Sequence, residues 1–131
     1  MAVISLVIYG SRDALPTVDE IDREVDRVLI IGESISCTWE RPTIDHVICG
    51  GAHGADLHGY QWARARDLPI IVMGADWDTN GKRAGYVRNA AMAERATHGL
   101  GFWRNWSRGT AHMTTCLVML GKPVRIVEWE P

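Results

Sequence analysis

Four short polar segments carry residue types that bind anions, and each lies beside an apolar run. They are residues 10–12, 50–56, 81–89 and 107–110. Glycine allows backbone N–H groups to approach a ligand closely, and a helix that starts after it adds unpaired donors and a positive dipole end. Together these features favour a phosphate. Taken alone, the G-G-x-x-G spacing of 50–54 equally suits a tight strand-to-helix turn, and its recurrence at 109–110 favours the anion.

The candidate ligand-binding residues have small, hydroxyl, amide, imidazole, acidic or cationic side chains. They are Gly10, Ser11, Arg12, Gly50, Gly51, His53, Gly54, Asp56, Lys82, Arg88, Asn89, Ser107, Arg108, Gly109 and Thr110. Histidine titrates near neutral pH, so His53 is a candidate phosphate contact or proton shuttle, with an exposed loop histidine as the alternative. Thr110 is either a ligand contact or a plain helix N-cap.

The candidate catalytic residues are Asp56, Asp76 and Arg88. Each aspartate either satisfies backbone N–H groups at a helix start or holds ribose hydroxyls, as acidic residues do in nucleotide-binding folds. His112 and Cys116 are spaced four apart on a predicted helix but have no third ligand nearby. We therefore predict neither a metal nor a cofactor.

The charge of the chain is unevenly distributed. The net charge is −2, yet residues 81–108 carry six cationic residues and one glutamate, which makes that segment +5 and the remainder −7. Proteins that bind duplex nucleic acid spread cationic charge over a face and have a high pI. A small anionic ligand fits this distribution better than nucleic acid, and solvated surface arginines are the alternative.

Apolar runs and helical periodicities alternate along the chain. The predicted strands are 2–9, 44–49, 70–73, 99–103 and 124–129, and the predicted helices are 17–31, 55–66, 86–97 and 110–120, the last mostly buried. Residues 74–85 are predicted to be a loop whose length suggests a function. The alternation predicts an α/β fold, a three-layer Rossmann-like parallel sheet of about five strands with helices on both faces. Ligands bind such sheets at the carboxyl edge.

Length and composition predict one cytoplasmic domain, residues 1–131. No apolar run reaches the ~20 residues of a membrane span. Residues 1–10 lack a basic flank and a cleavage site, so they are interpreted as a strand and not a signal peptide. Cys37, Cys49 and Cys116 are far apart, which fits a reducing compartment.

Five motifs occur in a specific order. They are G-S-R at 10–12, G-G-A-H-G-A-D at 50–56, A-D-W at 75–77 followed by G-K-R-A-G-Y-V-R-N-A-A-M at 81–92, F-W…S-R-G-T-A-H-M at 102–113, and G-K-P-V at 121–124. Over nearly its whole length the chain resembles the YspA/cpYpsA-related SLOG family.

This resemblance implies a Rossmann-like domain that binds nucleotides or nucleotide-derived ligands, related to the Lonely Guy phosphoribohydrolases and the DNA-processing protein DprA. It would place ligand phosphate against Gly109 and Thr110, and base or sugar near Gly10, Ser11, Arg12, Gly51 and Asp56. It also implies a homodimer or higher homo-oligomer, with the third or fourth predicted helix as the contact.

One departure bears on mechanism. Lonely Guy enzymes carry P-G-G-x-G-T-x-x-E and R-K-x-x-M. This chain keeps the arginine as Arg88, but it lacks the Pro-Gly-Gly and has Met113 where the glutamate would be. A thioether cannot act as an acid or base.

Three hypotheses follow for the function. The first is a protein that binds a phosphate-bearing nucleotide or derivative at the carboxyl edge, as a sensor, carrier or sequestering protein. The second is a nucleotide N-glycosidase that uses Asp56 or Asp76, and the third is a non-catalytic protein-interaction module of phage origin. Of the six tryptophans, Trp77, Trp103 and Trp106 lie in the site segments, where one could stack on a base. Core or interface packing is the alternative.

Overall fold

Strands and helices alternate through residues 3–31, 43–51, 54–105 and 107–131, which are the residues that the computed structural model describes. The strands are β1 (Ser5–Gly10), β2 (His46–Cys49), β3 (Ile70–Val72), β4 (His98–Trp103) and β5 (Val124–Glu128). The helices are α1 (Val18–Ile31), α2 (Ala55–Ala65), α3 (Trp77–Asn80), α4 (Ala84–Arg95) and α5 (Arg108–Met119), with a 3-10 turn at Gly81–Arg83 between α3 and α4.

The five strands form one parallel sheet in the order β3-β2-β1-β4-β5. Side chains of β1 alternate between its two faces, because successive residues of a strand point in opposite directions. Leu6 and Ile8 pack into a core with residues of α1 and α2, whereas Val7 and Tyr9 pack with residues of α4 and α5. The predicted three-layer α/β fold is confirmed.

Helix α1 begins where the sequence predicts it. The Thr17 hydroxyl accepts a hydrogen bond from the Glu20 N–H at 3.2 Å, which satisfies a donor of the first turn. Ile21, Val25 and Val28 recur at helical spacing and are buried against the sheet. The helix therefore covers one face of the sheet next to α2.

The prediction of a loop over 74–85 is wrong. The segment contains α3 and the 3-10 turn, and α4 already begins at Ala84. The Asp76 carboxylate accepts the Thr79 N–H at 3.1 Å and caps α3. A four-residue helix makes a single turn, so its sequence cannot show the apolar repeat by which longer helices are recognised.

Helix α5 is less buried than predicted. Thr110, Met113 and Leu117 are buried, whereas Val118 and Met119 are exposed. The buried residues recur three and four apart and so occupy one side of the helix. The consecutive apolar residues at the end of α5 point to all sides of the helix. Because only one side packs on the sheet, the others remain exposed.

The strand order creates a switch point between β1 and β4. The chain leaves β1 towards β2 on one side of the sheet, and it reaches β4 and β5 on the other. The connections after β1 and β4 therefore diverge, which opens a crevice at the carboxyl edge. In the described ranges, no helix has the length and apolar character needed to cross a membrane.

Candidate functional site

A cleft of about 820 Å³ opens at the carboxyl edge of the sheet, with the connections that follow β1 and β4 among its walls. Most of the predicted ligand-binding residues line it: Gly10, Ser11, Arg12, Gly50, Gly51, Asp56, Lys82, Arg88, Asn89, Ser107, Gly109 and Thr110. Gly54 and Arg108 do not belong to its lining. His53 lies outside the described residues.

Two residues at the end of β1 hold the floor of the cleft together. A Cβ on Gly10 would lie 2.1 Å from the Phe102 carbonyl oxygen, so no side chain fits there. The buried Ser11 hydroxyl accepts the Arg104 N–H and donates to the Arg104 carbonyl, both at 3.0 Å. Ser11 was predicted as a ligand contact, and its hydroxyl ties the connections after β1 and β4 to each other.

The start of α5 is open towards the cleft. Ser107, and not Thr110, is the N-cap: its hydroxyl accepts the Thr110 N–H at 3.3 Å and the Thr110 hydroxyl at 3.1 Å. The first turn of a helix has N–H groups without intrahelical partners, and among the described residues those of Arg108 and Gly109 have no acceptor after this capping. A Cβ on Gly109 would meet no atom of the described residues within 4 Å. A ligand has direct access to this backbone.

Arg88 and Asn89 of α4 link the end of β2 to the start of α5. Arg88 Nη1 donates to the Gly50 carbonyl at 2.9 Å, and Nη2 donates to Asn89 Oδ1 at 3.4 Å. The Asn89 amide nitrogen donates to the Gly109 carbonyl at 3.3 Å. Arg88 Nε is buried, and no described residue accepts its hydrogen bond. A buried N–H donor without an acceptor costs free energy, while the two terminal nitrogens of this guanidinium are already bonded.

The start of α2 is closed by packing. A Cβ on Gly54 would lie 2.2 Å from the Arg12 carbonyl oxygen, and the Ala55 N–H donates to the Ser11 carbonyl at 3.3 Å. Asp56, in the first turn, is buried and lines the cleft. Burial first, and then the charge of Asp56, raise the pKa of Cys49 to about 12. The first turn of α2 thus already contains a carboxylate at its positive end.

The second candidate carboxylate lies elsewhere. Asp76 is exposed, caps α3, and is not part of the cleft lining. Only Asp56 of the two catalytic aspartate candidates faces the cleft. Met113, which replaces the glutamate in the resemblance to Lonely Guy enzymes, also lines it and is buried.

The cleft lining carries more positive than negative charge. Its charged residues are Arg12, Lys82, Arg88 and Arg104 against Asp13 and Asp56. Arg104 Nε lies 3.9 Å from the Asp13 carboxylate, and its guanidinium lies 5.7 Å from the Trp129 ring centroid. Only part of the cationic segment 81–108 therefore contributes charge to the cleft, because its other arginines (83, 95 and 108) are exposed outside the lining.

Sequence reasoning missed several lining residues, among them Tyr9, Tyr86 and Met92. Tyr9 lies in a strand that the sequence correctly identifies as buried. Burial raises its pKa, against the opposing effect of a 2.8 Å hydrogen bond to Thr114 Oγ1. Tyr9 is a buried residue near the end of a strand, and the sequence does not distinguish it from other core residues. Only its position next to Gly10 could have suggested that it lines the cleft.

His112 and Cys116 form a contact behind the start of α5. Cys116 Sγ lies 3.6 Å from His112 Nε2, while the Asn89 amide nitrogen lies 3.2 Å from His112 Nδ1. Burial lowers the pKa of His112 and raises that of Cys116. No group of three or more metal-ligating side chains occurs in the parts of the chain that the structure describes. This pair connects to the cleft through Asn89 and through Tyr86, whose ring centroid lies 4.6 Å from that of His112 in an edge-on contact.

Comparison of the chain with models of protein families, with curated proteins and with solved structures finds no match. The resemblance to the SLOG family stays a prediction from the sequence motifs.

Proposed function

We propose that this protein binds a phosphate-bearing nucleotide or nucleotide derivative at the carboxyl edge of its sheet, as a sensor, carrier or sequestering protein. The observation that carries the proposal is Arg88, whose buried Nε has no acceptor among the described residues while its two terminal nitrogens are bonded to Gly50 and Asn89. Arg88 lines the cleft, where a phosphate oxygen would give its guanidinium a further acceptor. Arginine forms strong charge-assisted bonds with such oxygens.

The phosphate position that best fits is the start of α5. Asn89 joins Arg88 to the Gly109 carbonyl, so the guanidinium and the first turn of α5 belong to the same wall. The N–H groups of Arg108 and Gly109 add two donors, and the helix end adds positive potential. This assignment agrees with the contact that the family resemblance implies for Gly109 and Thr110.

The size of the cleft supports a ligand larger than phosphate. About 820 Å³ falls within the ~300–1,000 Å³ typical of sites for cofactors and similar small molecules. Asp56 offers a carboxylate for ribose hydroxyls, as acidic residues do in other nucleotide-binding folds. The nucleotide would therefore bind with its phosphate at the start of α5 and its ribose hydroxyls at Asp56.

A second candidate function is nucleotide N-glycosidase activity. Asp56 favours it, since a buried carboxylate that lines a cleft with Arg88 is a candidate acid, base or cation stabiliser. Met113 weighs against it because a thioether supplies none of these roles. Binding without turnover is therefore the function that the geometry supports best.

Thermal unfolding with a panel of mono-, di-, cyclic and dinucleotides tests the proposal. At least one compound raises the melting temperature, because a ligand at about 100 times its Kd adds about 2.7 kcal/mol. Arg88→Ala removes this shift. Arg95→Ala, an exposed arginine in the last turn of the same helix, keeps it. If no phosphate compound stabilises the wild-type protein, the proposal is wrong.

We also propose that the chain forms a homodimer or higher homo-oligomer through α4 or α5. Val87 of α4 and Val118 and Met119 of α5 are exposed apolar side chains that such a contact would bury. Light scattering at tens of micromolar should give the mass of a dimer or higher oligomer. A monomer mass over that range contradicts this claim.

A further inference from the structure

Trp77 differs from the other tryptophans that the structure describes. Trp62 is buried, and Trp103 and Trp129 are partly buried, whereas 58% of the Trp77 surface is exposed. Trp62 also donates to the Asp22 carboxylate at 2.8 Å, and Trp129 donates to Glu20 at 3.0 Å. Tryptophan is on average a highly buried residue type. Its exposure at this position needs an explanation.

Trp77 lines the cleft, and its ring lies against the start of α4. The Asp76 carboxylate caps α3, and the Asn80 N–H donates to the Asp76 carbonyl at 2.9 Å, which orders the backbone that carries Trp77. Its Cη2 atom lies 3.8 Å from the position of a Cβ on Gly85, so the ring lies against the first turn of α4. A ring that already lies against a helix loses less side-chain entropy when a ligand packs on it than a freely rotating ring does.

The surroundings of Trp77 leave room for a planar group. Gly74 and Ala75, which precede α3, also line the cleft, and a Cβ on Gly74 would meet no atom within 4 Å in the part of the chain that the structure describes. Lys82 and Arg88 contribute positive charge to the same cleft. An aromatic surface beside cationic groups matches a ligand that has both a ring and an anion.

We propose that Trp77 is the platform on which the base of the nucleotide stacks, so that the ligand is a nucleotide and not a sugar phosphate. This inference rests on the proposed function, and it adds the chemical group that the site selects. Every nucleobase has a π-face, and stacking on an aromatic side chain tolerates different bases. Trp77 therefore selects for the presence of a base more than for its identity.

Calorimetric titration of four proteins, the wild type, two Trp77 variants and a control variant, separates the contribution of the base to binding from that of the phosphate. The ligands are the 5′-monophosphates of adenosine, guanosine, cytidine and uridine, together with ribose 5-phosphate. We expect Trp77→Ala to weaken nucleotide binding about tenfold or more, in keeping with measured base–aromatic stacking, and to change ribose 5-phosphate binding less than about twofold. Trp77→Phe, which keeps an aromatic ring, should lose less affinity than Trp77→Ala.

Ile30→Ala is the control, since Ile30 of α1 is an apolar residue with 71% exposure and lies outside both the cleft lining and the proposed contact between copies. It should bind all five ligands as the wild type does, and circular dichroism without ligand checks that each variant is folded. Wild-type protein that binds ribose 5-phosphate as tightly as the nucleotides overturns the platform and leaves the phosphate site standing. Equal losses for both ligand types in Trp77→Ala also overturn it. If none of the five ligands binds, the platform is wrong, and the broader panel then decides the proposed function.

Discussion

The starts of α2 and α5 carry similar glycine signals and have opposite roles. At α2, Gly54 packs against the Arg12 backbone, the Ala55 N–H is bonded to Ser11, and Asp56 places a carboxylate in the first turn. At α5, Gly109 faces open space and the first turn has no acidic residue. A glycine at a helix start therefore indicates that another group packs closely against the backbone there. The neighbouring elements decide whether that group is the protein's own backbone or a ligand.

The largest expected effect concerns stability at the closed start. Gly54→Ala should lower the free energy of unfolding by about 3 kcal/mol or more, because a positive φ and a backbone clash both oppose a Cβ. Gly54 has φ 76°, and the new Cβ would lie 2.2 Å from the Arg12 carbonyl oxygen. Urea unfolding measures the change.

Gly109→Ala is the matched change at the open start. It should alter stability by no more than about 1 kcal/mol, in the stabilising direction, since alanine reduces the entropy of the unfolded chain. Its methyl group should weaken nucleotide binding, because it stands where the phosphate approaches the backbone. A Gly54→Ala variant as stable as Gly109→Ala would remove the distinction between the two helix starts.

A smaller effect is expected from pH at the open start. Burial lowers the pKa of His112 below its ordinary 6.5, so the unfolded chain binds this proton at a higher pH than the folded chain does. The stability contribution is complete above about pH 6.5 and is lost as the pH falls through that value towards the lowered one. Protonation also removes the Nδ1 acceptor of Asn89, which holds the Gly109 carbonyl.

The loss should be small because His112 is partly exposed and solvent screens its charge. Urea unfolding at pH 5 to 8 measures it, with His112→Gln as the control that cannot titrate in this range. Parallel pH curves for the two proteins would show that His112 contributes nothing.

The smallest expected effect is on chemistry, since neither helix start combines an accessible phosphate site with an acid. The open start of α5 has Met113 in its second turn, and the carboxylate of Asp56 belongs to the closed start of α2. Wild type and Asp56→Asn should therefore release the same background amount of free base from the four nucleoside monophosphates. Chromatography of incubated samples measures the release, and Asp76→Asn, at an exposed cap, is the control.

General acid–base help is worth roughly 10²–10⁴ in rate. If the wild type shows turnover of that size and only Asp56→Asn abolishes it, the protein is a hydrolase and the proposal of binding without turnover is wrong.

Local sequence signals predicted the elements well where they depend on short-range chemistry. The capping pair Thr17 and Glu20, the repeat of apolar residues in α1 and the apolar run of β1 all appear in the structure as predicted. The alternation of strands and helices was sufficient for the fold class, because parallel strands require crossover helices. The prediction failed at α3, whose single turn is defined by one Asp76 cap.

By itself, the sequence determined the parallel sheet, the edge at which polar segments gather and the residue types available there. Only the tertiary structure decided which groups each of these residues contacts. In the folded chain the Ser11 hydroxyl bonds to Arg104, Asp76 caps α3 outside the cleft lining, and Arg88 Nε has no acceptor among the described residues. The physical reason is that burial and hydrogen-bond satisfaction depend on neighbours distant in sequence, such as Asn89 and Gly109, which meet only when α4 and α5 pack on the same face of the sheet.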